Sequence, residues 1–437
     1  ESSPGGVCLY RGCIPSKSLL HVAKVLVESR EAINLGIEFG EPRINIERLR
    51  SWKAGVVQKL TGGLGNLTKQ RKINYIKGEA SFTNRDTLKI KTVNGDVQSL
   101  KFGSAVIATG SSPVTVPGLS IASARIMDST SALELKDIPR SLLVIGGGYI
   151  GLELGTVYAA LGTQVSVVEM TTGLLPGADR DLVDILFKRL KKIFHCIILN
   201  TKVISMKEDK NGIQVALQEA DVPEPEQVFE KVLVAVGRRP NTQNLGLENT
   251  NVEVDQRGFI RVDAQRRTAE EGIFAIGDVA GEPMLAHKAT HEGRTVAEVI
   301  SGKKVAFEPQ AIPAVVFTDP EIAWCGLTET EATAKNIPVK VTRFPWAASG
   351  RATTLGISEG INKLIFDPET DQVLGVGIVG PGAGELIAEG VLAIEMAALA
   401  GDIRLSIHAH PTLSETIMES ADLFYGQSSH VYTGHKV

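Results

Sequence analysis

Apolar and polar positions along this chain follow two periods, and the change from one to the other marks its elements. The clearest passage is "LLVIGGGYIGLELGTVYAALGTQVSVVE". Leu142 to Ile145 form a short unbroken apolar run, the pattern of a strand buried on both faces. A glycine-rich turn follows, then a helical stretch ending at Gly162, a suitable residue just past a helix end. A second strand, "QVSVVE", closes on Glu169. Near the start, Leu19, Ala23, Leu26 and Ile33 recur at helical spacing and predict one apolar stripe. Pro15 suits the first turn of that helix.

The remaining patterns divide the chain into four regions. Residues 1–118 hold the cysteine helix, a mixed segment and the strand-then-turn "AVIATGSSP". Residues 119–241 form a self-contained βαβ pattern ending in "VLVAVGRRPN". Residues 242–310 carry "GIFAIGD" and the helix "KATHEGRTVAEVISG". Residues 311–437 read as alternating strands from "AIPAVVFTDPEIAWCG" onward, plus the helix "GELIAEGVLAIEMAALAG". No short repeat or low-complexity linker separates these regions, so they are expected to pack as one body.

Composition narrows the function. With 46 basic and 50 acidic residues interspersed, no basic stripe offers itself to nucleic acid. No apolar run approaches the ~20 residues of a membrane span; "VLAIEMAALAG" is short and carries Glu395. Four cysteines in 437 residues do not make a disulfide scaffold. A reducing compartment is therefore expected, the cytoplasm or, in a eukaryote, the mitochondrial matrix.

The glycine turn carries chemistry. Gly146, Gly148 and Gly151 fit G-x-G-x-x-G between a strand and a helix. The first permits the tight turn, the second lets a pyrophosphate approach the backbone, and the third allows close helix–strand packing. Glu169 ends the next strand 23 positions after Gly146, where it can accept ribose hydroxyls and would repel a 2′-phosphate. Strand, glycines, helix, strand and acid together predict a dinucleotide site that takes NAD rather than NADP.

A second stretch, "CLYRGCIPSK", places Cys8 and Cys13 five positions apart. Five residues of ideal helix rise ~7.5 Å, beyond the ~6.8 Å that a disulfide tolerates between Cα atoms. A bridge needs a distorted turn, which Gly12 can supply. Cys13 would lie at the positive end of the following helix, where a thiolate is stabilised. The spacing alone leaves three readings open: unconnected thiols, metal ligands or a redox pair. Zinc would want four ligands, and Cys196 and Cys325 stand alone in sequence.

The wider set of motifs resolves the choice by resemblance. "GGVCLYRGCIPSK" resembles the active-site segment of the flavin-dependent class I pyridine nucleotide-disulfide oxidoreductases. The resemblance spans essentially the whole chain: "VIATGSSP", "GGGYIGLELG", "AVGRRPNT", "IFAIGDVAG", "MLAHKA" and "HAHPTLSE" follow in the family's order. It implies an α/β fold with two dinucleotide-binding domains, for FAD and NAD, and a C-terminal α+β dimerisation domain. The activity implied is oxidation of protein-bound dihydrolipoamide with reduction of NAD⁺. The expected partners are a second copy of the chain and the lipoyl carrier domains of 2-oxo acid dehydrogenase complexes or of the glycine cleavage system.

Carried over by position, Cys8 resembles the thiol that exchanges with substrate and Cys13 the thiol that faces the flavin. Lys17 is implied beside the flavin ring, paired with Glu153. The resemblance implies FAD contacts at Ala80, Thr109, Gly110, Ser111, Asp278, Met284, Leu285, Ala286 and His287. It implies NAD contacts at Gly146, Gly148, Tyr149, Ile150, Gly151, Glu153, Glu169, Val203 and Gly237. His410 is implied as the base that takes a proton from the dithiol, with Glu415 orienting its ring. His408 is expected to be structural. The family turns sharply at His410–Pro411, a bond type in which cis peptides occur.

Other readings fit less well. Mercuric reductases would show a cysteine pair near the C-terminus, and "SSHVYTGHKV" has none. Glutathione reductases would prefer basic residues where Glu169 stands, and soluble transhydrogenases would lack the cysteine pair. A non-catalytic scaffold would have no need of Cys8, Cys13, His410 and Glu415. The resemblance also implies a βαβ unit with its own glycine motif ahead of the cysteines, but only seven residues precede Cys8. Glu1 would then be a remnant of that unit's last strand. The resulting expectation is an N-terminally incomplete enzyme, with unpaired sheet edges and a weak hold on FAD.

Overall fold

The computed structural model describes residues 4–116, 118–119, 121–218 and 226–432, so Glu1 lies outside it. The parallel sheet expected around the glycine turn runs in the order Ile126–Met127, Lys231–Val234, Ser141–Ile145, Gln164–Val168, Cys196–Ile198. All four pairings are parallel. Ser141–Ile145 is the central strand, and Leu142, Leu143 and Val144 are fully buried, which explains its unbroken apolar run. The helix Tyr149–Ala160 follows and is apolar nearly all round. One side packs on the sheet. The cysteine helix Cys13–Glu31 covers the other, and Leu19, Ala23 and Leu26 join the same core as Leu152, Val157 and Tyr158.

One member of the expected stripe departs from it. Ile33 is 62% exposed. The α-helix ends at Glu31 and tightens into a 3₁₀ turn over Ala32–Leu35. The tighter turn advances faster around the axis, which brings Ala32 into the core and leaves Ile33 outside.

The C-terminal region is built on an antiparallel sheet ordered Ala314–Val316, Ile322–Gly326, Val373–Val379, Ile361–Phe366, Lys340–Pro345. The helices Ala383–Glu395 and Glu415–Asp422 pack on it around a core of Trp346, Leu364, Phe366, Ile378, Ile387 and Ile417. Its first two strands form a hairpin whose end reaches the other domain. Val316 and Ile322 belong to the core of the parallel-sheet domain, with Phe317 and Trp324 packed against it.

A buried charge cluster joins the same two bodies. Lys363 is 1% exposed, and its ammonium lies 2.8 Å from Asp179, 2.9 Å from Asp181 and 2.7 Å from Glu329. Arg343 pairs with Asp181 and Glu329 as well. Asp179 also accepts the main-chain N–H groups of Glu329 and Thr330. Each of the three carboxylates is thus paired with at least one of the protein's own two cations, Lys363 and Arg343.

Two small sheets link the rest. Ala105–Ile107 runs parallel to Ile273–Ala275, and Ser111–Pro113 pairs antiparallel with Arg238–Pro240. These pairings gather "VIATGSSP", "GRRPN" and "IFAIGD" in one place. Among the described residues no helix is long and apolar enough to cross a membrane.

Candidate active site

The cysteine loop depends on a break between two helices. Gly6–Arg11 is a short helix that stops at Gly12, whose backbone (φ −142°, ψ −117°) belongs to neither helix, and Cys13 opens the next one. A Cβ at Gly12 would sit 3.1 Å from the Val7 carbonyl oxygen and from the Cys8 Cα. The break brings two residues five positions apart face to face, as a continuous helix could not. Cys8 is half-buried and Cys13 exposed.

The two sulfurs are not equivalent. Cys8 donates its S–H to Cys13, which pushes the Cys8 thiol up, and burial adds to this. That hydrogen bond is the largest influence lowering Cys13; burial opposes it, the Lys17 ammonium assists, and the thiol is pushed down to about 7. Cys13 is therefore the better thiolate.

Lys17 stands one helical turn beyond Cys13. Its ammonium donates to both oxygens of Glu153, at 3.0 and 2.8 Å. Glu153 comes from the dinucleotide helix and is only 3% exposed. A buried carboxylate needs a partner, and here it has two: its Oε1 also accepts the Phe317 main-chain N–H at 3.1 Å.

The glycine turn is shaped for a dinucleotide. Gly146 has φ +108°, and a Cβ there would meet the Ala235 carbonyl oxygen at 2.5 Å; one on Gly151 would meet the Gly146 carbonyl oxygen at 2.3 Å. Around Gly148 the space is open, and the helix that follows has no side-chain cap. Its first N–H groups are thus left for an anion. Glu169 accepts from the Gly147 N–H at 2.6 Å and from the Thr171 N–H and hydroxyl at 2.8 Å. A carboxylate offers about four acceptor sites, so this one keeps capacity for a ribose. Tyr149 is 40% exposed at the mouth of the turn, Ile150 packs toward the core, and Gly237 follows the adjacent strand with φ +125°. The Val203 side chain is 6% exposed in the core beside Val168, leaving only its main chain to meet a ligand.

The residues implied for FAD also form a polar set. Thr109 and Gly110 are fastened to Asn241, which receives the Thr109 hydroxyl and donates to the Thr109 and Gly110 carbonyls. Ser111 donates to Asp278 and is held by Arg238 at 2.7 Å. Among the described residues the second Asp278 oxygen has no hydrogen-bond partner, which suits a hydroxyl-bearing ligand. Met284 and Leu285 lead into the uncapped helix Ala286–Ile300. The His287 ring is pushed down by burial, so the neutral imidazole can donate Nε2–H to the Pro313 carbonyl, 2.9 Å away. Ala80 is exposed on the strand Gly78–Asn84. Both donor sets, an uncapped helix beside polar acceptors, fit the groups that the motifs imply.

His410 and Glu415 form a pair at 2.9 Å, with His410 75% exposed in its side chain. The His410–Pro411 bond is cis. Burial pushes Glu415 up, but the Thr412 N–H and the His410 ring outweigh it and hold the carboxylate below its usual range. His408 bridges the Ser406 carbonyl and Glu389. Among the described residues, no hydrogen bond or ion pair joins His410 or Glu415 to the cysteine loop of the same chain.

Sequence reasoning missed Phe317, Asn241 and Arg238 as supports of these sites. The last two sit in the quoted "GRRPN", where paired polar residues after a strand were the available signal. Phe317 carried none, being one apolar residue in an apolar hairpin.

Comparison with known proteins agrees with this arrangement. The model of the pyridine nucleotide-disulphide oxidoreductase family matches residues 3–293, and that of the family's dimerisation domain matches residues 312–421. The chain belongs to this family, and it is an oxidoreductase that works with FAD and NAD(H). At finer grain, it is 49% identical to the dihydrolipoyl dehydrogenase of Vibrio cholerae, over 97% of this chain and 88% of that one. The dihydrolipoyl dehydrogenase of Haemophilus influenzae is likewise 49% identical, with the same shares covered. Among solved structures, the HOCl-induced flavoprotein disulfide reductase RclA of Escherichia coli superposes with a TM-score of 0.85 at 28% identity, covering 97% of this chain and 92% of that one.

Proposed function

We propose that this protein oxidises dihydrolipoamide carried on lipoyl domains to lipoamide and reduces NAD⁺ to NADH. The observation that carries the reading is the placement of the thiols: the break at Gly12 sets Cys8 against Cys13, and Cys13 opens a helix at its N-terminus one turn before Lys17. In the oxidised enzyme the two are joined. A substrate thiolate then attacks the Cys8 sulfur, forming a mixed disulfide and breaking the Cys8–Cys13 bond. Cys13 leaves as a thiolate, and the lower-pKa thiol leaves faster. That selects Cys8 as the sulfur attacked.

His410 takes the proton of the second substrate thiol, and the Glu415 carboxylate stabilises the imidazolium. The second sulfur attacks the first, displaces Cys8 and closes the lipoamide ring. His410 returns that proton to the departing Cys8 sulfur, leaving Cys8 as the thiol and Cys13 as the thiolate. FAD and NAD⁺, when bound, carry the two electrons onward as a hydride. Glu153 and Lys17 hold their charges beside the thiols, and the glycine turn with Glu169 binds and orients the nicotinamide dinucleotide.

His410 lies in the dimerisation domain, 397 positions from Cys13 in sequence. This supports a homodimer in which it serves the partner's cysteine pair. The deciding experiment is an anaerobic assay of NAD⁺ reduction by dihydrolipoamide with the FAD-loaded protein. Turnover that disappears in both Cys8→Ser and Cys13→Ser supports the reading. A wild-type protein that reduces other disulfides but does not oxidise dihydrolipoamide overturns it.

A further inference from the structure

The hairpin from the C-terminal domain touches the redox site at one side chain. Phe317 follows the strand Ala314–Val316, and its ring centroid lies 4.4 Å from the Lys17 ammonium. Its main-chain N–H donates to Glu153 Oε1, the oxygen that also receives Lys17 at 3.0 Å. One residue therefore grips both members of the Lys17–Glu153 pair, the cation through its ring and the anion through its backbone. The hairpin is itself anchored there. Arg189 bridges Asp319, two residues on, and Glu31 at the far end of the cysteine helix, at 2.9 and 2.6 Å.

We propose that Phe317 is a positioning residue: its ring holds the Lys17 ammonium beside the cysteine loop, so that the C-terminal domain sets the reactivity of the Cys13 thiolate. This rests on the reading of Cys8 and Cys13 as the redox pair. The physical case is simple. Lysine is a point charge on a flexible stem, and its effect on a nearby thiol depends on where the charge rests. Glu153 alone pulls the ammonium toward a carboxylate, whose own charge raises Cys13. An aromatic face attracts the cation without adding a negative charge. The groups that bear on Cys13 are Cys8 on the preceding helix, Lys17 on its own helix, and Glu153 on the dinucleotide helix. Tyr149 also lies within electrostatic reach. Of the hairpin's own charges, Asp319 is paired with Arg189 and Glu321 accepts the Gly384 N–H at 2.9 Å, so each faces its own partner, while Phe317 is the hairpin residue that meets Lys17 and Glu153.

The test uses the holoenzyme, reduced anaerobically and alkylated with iodoacetamide across a pH series. Trypsin cuts after Arg11 and after Lys17, so Cys8 and Cys13 fall in separate peptides and are quantified by mass. Phe317→Leu should move the Cys13 profile to higher pH and slow its alkylation at pH 7 by about three- to tenfold, the loss carried by one partly buried cation–π contact. Phe317→Trp should restore the wild-type profile. Phenylalanines carrying one and three ring fluorines at 317, which keep the shape and drain the ring face, should shift the profile stepwise and serve if the leucine variant does not fold. An unchanged profile in Phe317→Leu overturns the proposal. Equal shifts in the Leu and Trp variants, or no trend with fluorination, overturn it too. Failure of dihydrolipoamide turnover bears on the substrate reading and not on this profile, so the two ideas fail separately.

Discussion

Lys17 and Glu153 stand 136 positions apart, yet the lysine donates to both carboxylate oxygens of its partner. The pair ties the cysteine helix to the dinucleotide helix. Removing its cation strands a buried carboxylate. Lys17→Met should cost about 2–3 kcal/mol of stability, below the full figure for a buried pair because the lysine side chain is 31% exposed. Cys13 should also titrate above its value of about 7. Chemical denaturation and alkylation against pH measure the two effects.

Cys8 should govern its neighbour's acidity as well as exchange with substrate. Its S–H is the largest influence lowering Cys13. Cys8→Ala removes that donor, so Cys13 alkylation at pH 7 should slow and its midpoint rise. A midpoint that stays near 7 would mean that Lys17 and the helix end suffice.

His410→Ala should lower turnover by about 10²–10⁴-fold, the usual share of a positioned base, while leaving NADH binding intact. Mixing inactive Cys8→Ser and His410→Ala subunits should restore one working site per heterodimer if His410 serves the partner. No recovery after demonstrated subunit exchange would rule out shared sites.

Glu169→Ala should weaken NADH binding and narrow the preference over NADPH, as read from fluorescence titration. Gly151→Val should abolish binding of both. Even its Cβ would lie 2.3 Å from the Gly146 carbonyl oxygen and 2.9 Å from Val144.

The Lys363 cluster should make the joint between the two large domains acid-sensitive. Burial pushes Asp179 up, but Lys363 and the Thr330 hydroxyl outweigh it and bring the carboxylate down to about 2, and Asp181 is also depressed. A depressed carboxylate adds stability above its unfolded value of ~3.9 and loses it as pH falls through the folded one. Unfolding free energy should therefore drop between about pH 4 and about pH 2. Lys363→Met should remove about 3 kcal/mol or more at neutral pH by leaving the acids without their shared cation. Denaturant titrations across that range decide both points.

By itself the sequence determined what depends on neighbours along the chain. The strand, glycine turn, helix and acid of the dinucleotide site are local, because tight turns need residues without side chains and buried strands need unbroken apolar runs. A break at Gly12 followed only once the family resemblance paired Cys8 with Cys13, since two residues five apart cannot meet on a regular helix. The pairings of Lys17 with Glu153 and of His410 with Glu415 came from resemblance to a family, not from spacing. Only the tertiary structure decided which distant groups share a site. Lys363 reads in sequence as one cation in an apolar strand, and three acids from 34 to 184 positions away make its burial tolerable. Ile33 reads as core until a 3₁₀ turn carries it outward. Phe317 reads as ordinary hairpin until the C-terminal domain lays it over Lys17. Burial of charge and contact between rings and cations depend on how separate domains close on one another, and no local period records that.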